Sequence, residues 1–200
     1  MTRLERVLRD ITIALCERGR NFAVVGGLAV SARTEPRFTR DVDVAVAVTD
    51  DVDAENLVHS LLSQGYVVVA AIEQEAVHRL ATVRLAPPFG SAGGVVADLL
   101  VASSGVEPEV ADAADILEIL PSLVVPVATV GHLLALKTLS HGPHRPKDLM
   151  DIHALATVAS PSDFETARTA LKIIEARGFH RGKRLLDEFA RLLPDGPGAG

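Results

Sequence analysis

Two aspartates stand inside a run of valines in the stretch DVDVAVAV, residues 41–48. Its strict alternation is typical of a β-strand and places Asp41 and Asp43 on the same face. Because burying an ionised carboxylate without a partner is unfavourable, something cationic is expected beside the pair. Two converging carboxylates can share a divalent cation, and ligands that are all oxygen favour Mg²⁺, with Mn²⁺ as an alternative.

A double glycine, Gly26-Gly27, precedes Asp41 by thirteen intervening residues. It follows the apolar segment 22–25, which predicts a strand, and precedes LAVSART, which predicts a helix that Pro36 keeps short. Glycine amides can approach a phosphate closely, and the helix that follows presents its positive N-terminal end. A phosphate beside a divalent cation indicates a nucleotide.

Asp98 is a third carboxylate in an apolar segment, VVADLLVA. If its strand pairs beside residues 41–48, three carboxylates meet at one sheet surface, where they can ligate a metal and accept a proton from an attacking hydroxyl. Each feature alone has an ordinary explanation: a glycine turn, a chance pair of aspartates, an edge-strand residue. Their order and spacing together favour the functional interpretation.

The composition is that of an ordinary folded chain: 200 residues, 48% apolar and 23% charged, with a single cysteine. The formal net charge of −6 argues against a general nucleic-acid coat, although the basic residues of 165–193 could contact an RNA backbone or form a solvated helix face. The apolar stretch 116–136 contains Glu118 and His132 and is interpreted as strand, turn and helix, with no membrane span. A cytoplasmic location is expected.

The periodicity predicts four or five strands and a helical second half, hence an α/β or α+β fold. Strands are predicted at 22–25, 41–48, 66–72, 78–86 and 95–102. Helices are predicted at 4–19, 28–34, 50–65, 129–141, 145–156, 160–178 and 180–193.

The blocks GGLA, RFTRDVDV and LLALKTLSHGPHRPKDLMDIHAL, together with Asp98, resemble the AbiEii/MenT-type nucleotidyltransferases, toxins of bacterial toxin–antitoxin systems within the DNA polymerase β-like superfamily. The resemblance implies a mixed β-sheet with flanking helices, joined to a helical C-terminal part. It implies transfer of a nucleoside monophosphate from an NTP to tRNA, with pyrimidine nucleotides added at the 3′ end so that translation stops, and a cognate antitoxin. The corresponding domains are a catalytic domain at 1–126, a helical domain at 127–193 and a flexible tail at 194–200.

The resemblance also implies roles for individual residues. Gly26 and Gly27 hold the triphosphate, Asp41 and Asp43 bind Mg²⁺, and a helix-borne block contributes Lys137, Arg145 and Asp148, completed by Lys147 and Asp151. Lys137 offers a compact charge for the β- and γ-phosphates, and Arg145 a fork for bidentate contact. Lys147 with Asp151 is interpreted as an ordinary i,i+4 pair. Whether Asp98 or Asp148 is the third carboxylate is open.

Thr39 lies two residues before Asp41, close to the expected triphosphate. Its hydroxyl could bond a phosphate or the backbone, or could itself be phosphorylated, which would put about two negative charges beside the metal-binding carboxylates. Two other functions remain open for the whole chain. One is a nucleotidyltransferase acting on a small-molecule or protein hydroxyl, and the other is a non-catalytic interaction module.

Overall fold

The structure, a computed structural model, describes residues 2–36, 39–89 and 94–194. The N-terminal helix α1 (Arg3–Glu17) begins with a capping box between Thr2 and Glu5, and it buries the apolar face predicted from its spacing. Strand β1 (Phe22–Val25) is buried and leads directly into α2 (Gly26–Arg33), which begins two residues before the predicted helix. Strand β2 (Val42–Val46) covers the centre of the predicted strand at 41–48.

The middle of the chain supplies one long helix, a hairpin and the remaining strands. In chain order these elements are α3 (Asp51–Leu62), β3 (Val67–Gln74), β4 (Arg79–Ala86), β5 (Ala97–Leu100), α4 (Glu107–Asp112), β6 (Asp115–Leu120) and β7 (Leu123–Val127). Helix α4 has no counterpart among the predicted elements, because six residues are too few to show a helical repeat.

The seven strands form one mixed sheet in the order β3-β4-β5-β2-β1-β7-β6. The β2–β5 and β1–β7 pairs are parallel, and the other pairs are antiparallel. The expected mixed α/β fold is confirmed, but the expected number of strands was too low. The segment 116–136 forms a hairpin before its helix, and Pro126 is tolerated in β7 because that strand pairs with β1 only at Val127.

The strand registers place four residues in one row across the sheet. Val25 lies opposite Asp43, Asp43 is beside Asp98, and Asp98 is opposite Arg84. Side chains in register on adjacent strands point to the same face. Two carboxylates and one guanidinium are therefore neighbours on one surface of the sheet.

Four helices complete the chain, and all four were predicted. They are α5 (Val130–Ser140), α6 (Pro146–Val158), α7 (Pro161–Ala176) and α8 (Leu185–Leu192). Helix α5, capped by Thr129 as expected, packs against the other three and also against α2. The domain boundaries at 126 and 193 stay a prediction, and residues 195–200 of the predicted tail lie outside the described residues. In the described part of the chain, no helix is long and apolar enough to span a membrane.

Candidate functional site

Two cavities, of about 580 and 590 Å³, meet where the sheet faces α5 and the start of α6. All nine residues predicted for the site line one or both of them. Both cavities are lined by Asp41, Asp43, Lys137 and Arg145. The first cavity adds Gly26 and Asp98, and the second adds Gly27, Thr39 and Asp148.

Gly26 opens α2 with φ of +64°, and its missing side chain makes room for Asp43. A Cβ on Gly26 would lie 2.6 Å from the carboxyl carbon of Asp43 and 2.8 Å from its Cβ. Only glycine allows this approach. The carboxylate of Asp43 therefore lies against the first residue of a helix, where the helix dipole is positive.

The pKa of Asp43 is raised from 3.8 to about 6. The main cause is burial, which disfavours the charged form, and the second is the nearby carboxylate of Asp98. Asp41 raises the pKa further, while Lys137 and Arg145 lower it. The expected cationic neighbours are therefore present but do not outweigh burial.

The carboxylate of Asp98, the expected third metal ligand, is bonded to a guanidinium. Arg84, opposite it on β4, donates from Nε to Oδ1 at 2.8 Å and from Nη2 to Oδ2 at 2.7 Å. This bidentate bond raises the pKa of Arg84. Across the described residues, no three Asp, Glu, His or Cys side chains are grouped so that they could hold a metal ion.

Lys137 occupies the centre of a buried ionic network between α5 and α6. Its Nζ lies 3.0 Å from Asp148 Oδ1 and 2.8 Å from Asp151 Oδ2. Arg145 Nε and Ser140 Oγ donate to the other oxygen of Asp148, at 2.9 and 3.0 Å. Both oxygens of Asp148 are thus engaged within the protein, as both oxygens of Asp98 are by Arg84, so the choice between them as the third carboxylate stays a prediction.

The i,i+4 pair predicted between Lys147 and Asp151 is absent from the ion pairs of the described residues. Asp151 bonds Lys137 instead, with its side chain 2% exposed. Lys147 is exposed and lines the second cavity. A buried carboxylate favours a buried cation because water screens the bond to an exposed lysine.

Replacing Lys137 with methionine is expected to lower the free energy of unfolding by about 3 to 5 kcal/mol, because two buried carboxylates lose their shared cation. Urea unfolding measures the change. The double variant Lys137→Met/Asp151→Asn should recover part of the loss, and Lys172→Met, at an exposed lysine, should stay within about 0.5 kcal/mol of the wild type. A Lys137→Met protein as stable as the control would contradict the network.

The basic segment 165–193 is used mainly within the protein. Its side chains pair with acids or carbonyl oxygens: Arg168 with Glu165, Arg177 with Glu109, Lys183 with the carbonyl of Leu139, Arg184 with Asp187 and Arg191 with Glu188. Several of these pairs are solvent-exposed, and an RNA contact along this segment stays a prediction. The acidic partners come from neighbouring turns and from α4, which the sequence interpretation did not include.

Two further arginines line the first cavity: Arg84, which was not predicted for the site, and Arg181, which was counted only among the basic residues of 165–193. Arg84 could be found only by knowing the β4–β5 register, which sets it opposite Asp98. Arg181 comes from the loop between α7 and α8, far from the other site residues in the sequence.

Comparisons with known proteins show what the chain is similar to. A family model described as "Nucleotidyl transferase AbiEii toxin, Type IV TA system" matches residues 6–196. An antigenic nucleotidyltransferase-like protein from Paracoccidioides brasiliensis has a similar structure, with a TM-score of 0.53 and 18% identity, covering 94% of this chain and 92% of that one. The antibiotic-resistance factor ANT(2'')-Ia is also similar, with a TM-score of 0.53 and 17% identity, covering 86% and 92%. Its structure in complex with adenylyl-2''-tobramycin has a TM-score of 0.52 and 14% identity, covering 96% of this chain and 97% of that one.

A comparison with curated protein sequences gives no match. At such low identities, the structural likenesses establish the nucleotidyltransferase fold alone. The family model, in contrast, extends over nearly the whole chain, from α1 to the end of α8. This confirms the resemblance seen in the glycine pair, the aspartate pair and the helix-borne block. The chain belongs to the AbiEii family of nucleotidyltransferase toxins.

Proposed function

We propose that this protein transfers a nucleoside monophosphate, preferably a pyrimidine nucleotide, from an NTP to the 3′ end of tRNA and thereby stops translation. One observation supports this function best. The wall shared by the two cavities consists of two carboxylates and two cations, Asp41, Asp43, Lys137 and Arg145. A donor in one cavity and an acceptor in the other can therefore reach the same charged groups.

The first cavity suits the NTP. Gly26 and Lys137 lie at the phosphate end, and leucines from β5 and α5 offer an apolar wall for the base and sugar: Leu100, Leu133, Leu136 and Leu139. The second cavity suits the acceptor, since Arg40, His144 and Lys147 line it beside Thr39 and can face an RNA backbone.

The carboxylates fit the divalent cation that this chemistry uses. Mg²⁺ commonly takes one or two protein carboxylates and completes its shell with water and substrate phosphates. Asp41 and Asp43 meet that requirement, and a bound cation would offset the burial that raises the pKa of Asp43. When bound, the cation would neutralise charge on the phosphates. Asp98 could join it only after release from Arg84.

In the proposed reaction, the acceptor 3′-hydroxyl oxygen bonds to the α-phosphorus of the NTP, the bond to the bridging β-oxygen breaks, and pyrophosphate leaves. Two of the three N–H donors of Lys137 face Asp148 and Asp151, so one remains for a phosphate oxygen. Arg145, whose side chain is 59% exposed, bonds Asp148 through Nε. Its terminal nitrogens can bond other phosphate oxygens of the NTP. Asp98, once released from Arg84, is our candidate to accept the hydroxyl proton.

The proposal is tested by incubating the protein with total RNA, Mg²⁺ and each NTP radiolabelled on its α-phosphate. Label should appear in RNA of tRNA size, most strongly from CTP or UTP, and disappear with EDTA or in Asp41→Ala. Label in protein, or in an added aminoglycoside but not RNA, would show that the acceptor is another hydroxyl. No transfer from any NTP would favour a non-catalytic module. We also infer that a cognate antitoxin neutralises the protein, because the family belongs to a toxin–antitoxin system.

A further inference from the structure

Among the described residues, four basic side chains line the first cavity: Arg84, Lys137, Arg145 and Arg181. The first three form ion pairs with carboxylates of the protein. The ion pairs of the described part of the chain include none for Arg181. Its charge is therefore the one in this cavity that no protein carboxylate neutralises through an ion pair.

Arg181 is held towards the cavity by an unusual loop between α7 and α8. Its φ is +54°, a left-handed conformation that is unfavourable for a residue with a side chain and is found at functional sites. Its Nη2 donates to the carbonyl oxygen of Ser103 at 3.0 Å and lies 3.4 Å from the hydroxyl of the same residue. The hydrogen bonds of Arg181 thus involve Nη2, which leaves Nε and Nη1 for a ligand.

Ser103, which accepts these hydrogen bonds from Arg181, belongs to a second loop, and a buried carboxylate fixes that loop. Glu107, 1% exposed, accepts from the backbone amides of Ser103, Ser104 and Gly105 at 2.9, 2.7 and 2.9 Å, and from the Ser104 hydroxyl at 2.8 Å. These bonds use the charge of Glu107 within its own loop. The anchor is therefore held by several bonds. The charge of Glu107 attracts Arg181 without a hydrogen bond between them, but this attraction is weaker than the desolvation of Arg181 and its repulsion from Arg145.

A second guanidinium, that of Arg145, lies near enough to act on Arg181. Although Arg181 is exposed as a residue, desolvation of its guanidinium and repulsion from Arg145 lower its pKa. Two like charges that face one cavity are both stabilised by an anion between them. The cavity is thus prepared for a group with several negative oxygens.

We propose that Arg181 is a binding residue for the polyphosphate chain of the NTP, contacting phosphate oxygens through Nε and Nη1. This inference rests on the proposed function, which supplies the NTP. A phosphate of the RNA acceptor has the same chemistry, but the apolar leucine wall of this cavity favours a ligand with an attached base and sugar. Arg181 and Arg145 then hold the chain that leaves as pyrophosphate.

The test measures affinity by titration calorimetry with Mg²⁺ and two probes, an NTP analogue with a methylene bridge between the α- and β-phosphates, and inorganic tripolyphosphate. Arg181→Gln should bind both on the order of tenfold to a hundredfold more weakly, because a charge-assisted bond is lost. The affinity of Arg181→Lys for both probes should lie between those of the wild type and Arg181→Gln. Arg184→Gln, at an 88% exposed arginine of the same loop, is the control and should bind both probes with the affinity of the wild type. The affinity for tRNA should be the same in every variant.

The outcomes separate this inference from the proposed function. If the wild type binds both probes and Arg181→Gln binds them equally well, the role of Arg181 is wrong while the NTP site stands. If tRNA affinity falls and tripolyphosphate affinity does not, Arg181 contacts the acceptor and the inference is again overturned. A wild type that binds neither probe overturns both proposals. Should Arg181→Gln unfold, Arg181→Asn keeps the test valid, because asparagine tolerates left-handed backbone.

Discussion

Replacing Asp43 with asparagine is expected to reduce nucleotide transfer on the order of a thousandfold or more while making the metal-free protein more stable. Transfer falls because the variant loses one of the two carboxylates proposed to hold the cation. Stability rises because burial and the neighbouring Asp98 disfavour the ionised form of Asp43. Asparagine keeps the shape of the side chain without that charge.

The stability gained by Asp43→Asn should increase as the pH rises. In the folded protein, the pKa of Asp43 is about 6, against 3.8 for the unperturbed group, so the folded state binds more protons between these values. Ionisation of Asp43 therefore lowers stability as pH rises from about 4 to 6, and the full penalty remains above 6. Near pH 7 we expect Asp43→Asn to unfold with a free energy about 2 kcal/mol higher, and near pH 4 with little difference.

Chemical unfolding in EDTA at a series of pH values measures this effect, and the labelled-NTP assay measures transfer. Asp187→Asn is the matched control, because Asp187 is 62% exposed, pairs with an exposed arginine and lines neither cavity. It should change neither property by much. An Asp43→Asn protein that retained transfer, or that was less stable than the wild type at pH 7, would contradict the site as described.

Gly26→Ala is expected to destabilise the protein by about 3 kcal/mol and to reduce transfer at least about a hundredfold. About 1 to 2 kcal/mol comes from the left-handed backbone, with φ of +64°. The rest comes from the new methyl group, which would meet the carboxyl carbon of Asp43 at 2.6 Å and its Cβ at 2.8 Å. Asp43 and β2 must shift, and the carboxylate leaves its place.

Gly19→Ala isolates the backbone contribution. Gly19 has φ of +60°, and a Cβ there would meet nothing within 4 Å. Its substitution should cost about 1 kcal/mol and leave transfer unchanged. The double variant Gly26→Ala/Asp43→Ala should be more stable than the two single changes predict, since the clash is partly removed. Equal losses for Gly19→Ala and Gly26→Ala in urea unfolding would show that Asp43 is not confined by Gly26.

Local periodicity was sufficient to predict most of the elements that carry the site. The alternation at 41–48 predicts which face Asp43 occupies, because a period of two is a property of the strand itself. The strand, double glycine and helix at 22–34 follow equally from apolar runs and from glycine. Thr129 predicts the start of α5 and so the position of Lys137 on it.

Partners that depend on tertiary contacts could not be predicted in the same way. Arg84 is bonded to Asp98 because β4 and β5 pair in one particular register, and no local pattern encodes that register. Helical spacing predicted an ion pair between Asp151 and Lys147, but Asp151 is buried and forms its ion pair with Lys137 on another helix. The strand and turn at the start of 116–136 were predicted, but the second strand of this hairpin, Leu123–Val127, was missed because Pro126 suggested a break there.

The row of residues across β1, β2, β5 and β4 makes the chemistry depend on strand alignment. A slip of one residue between β2 and β5 would turn Asp43 or Asp98 to the opposite face of the sheet. A misaligned chain would then carry every functional residue and still be harmless. An insertion within Val42–Val46 would shift this alignment and silence the toxin without removing a single reactive group.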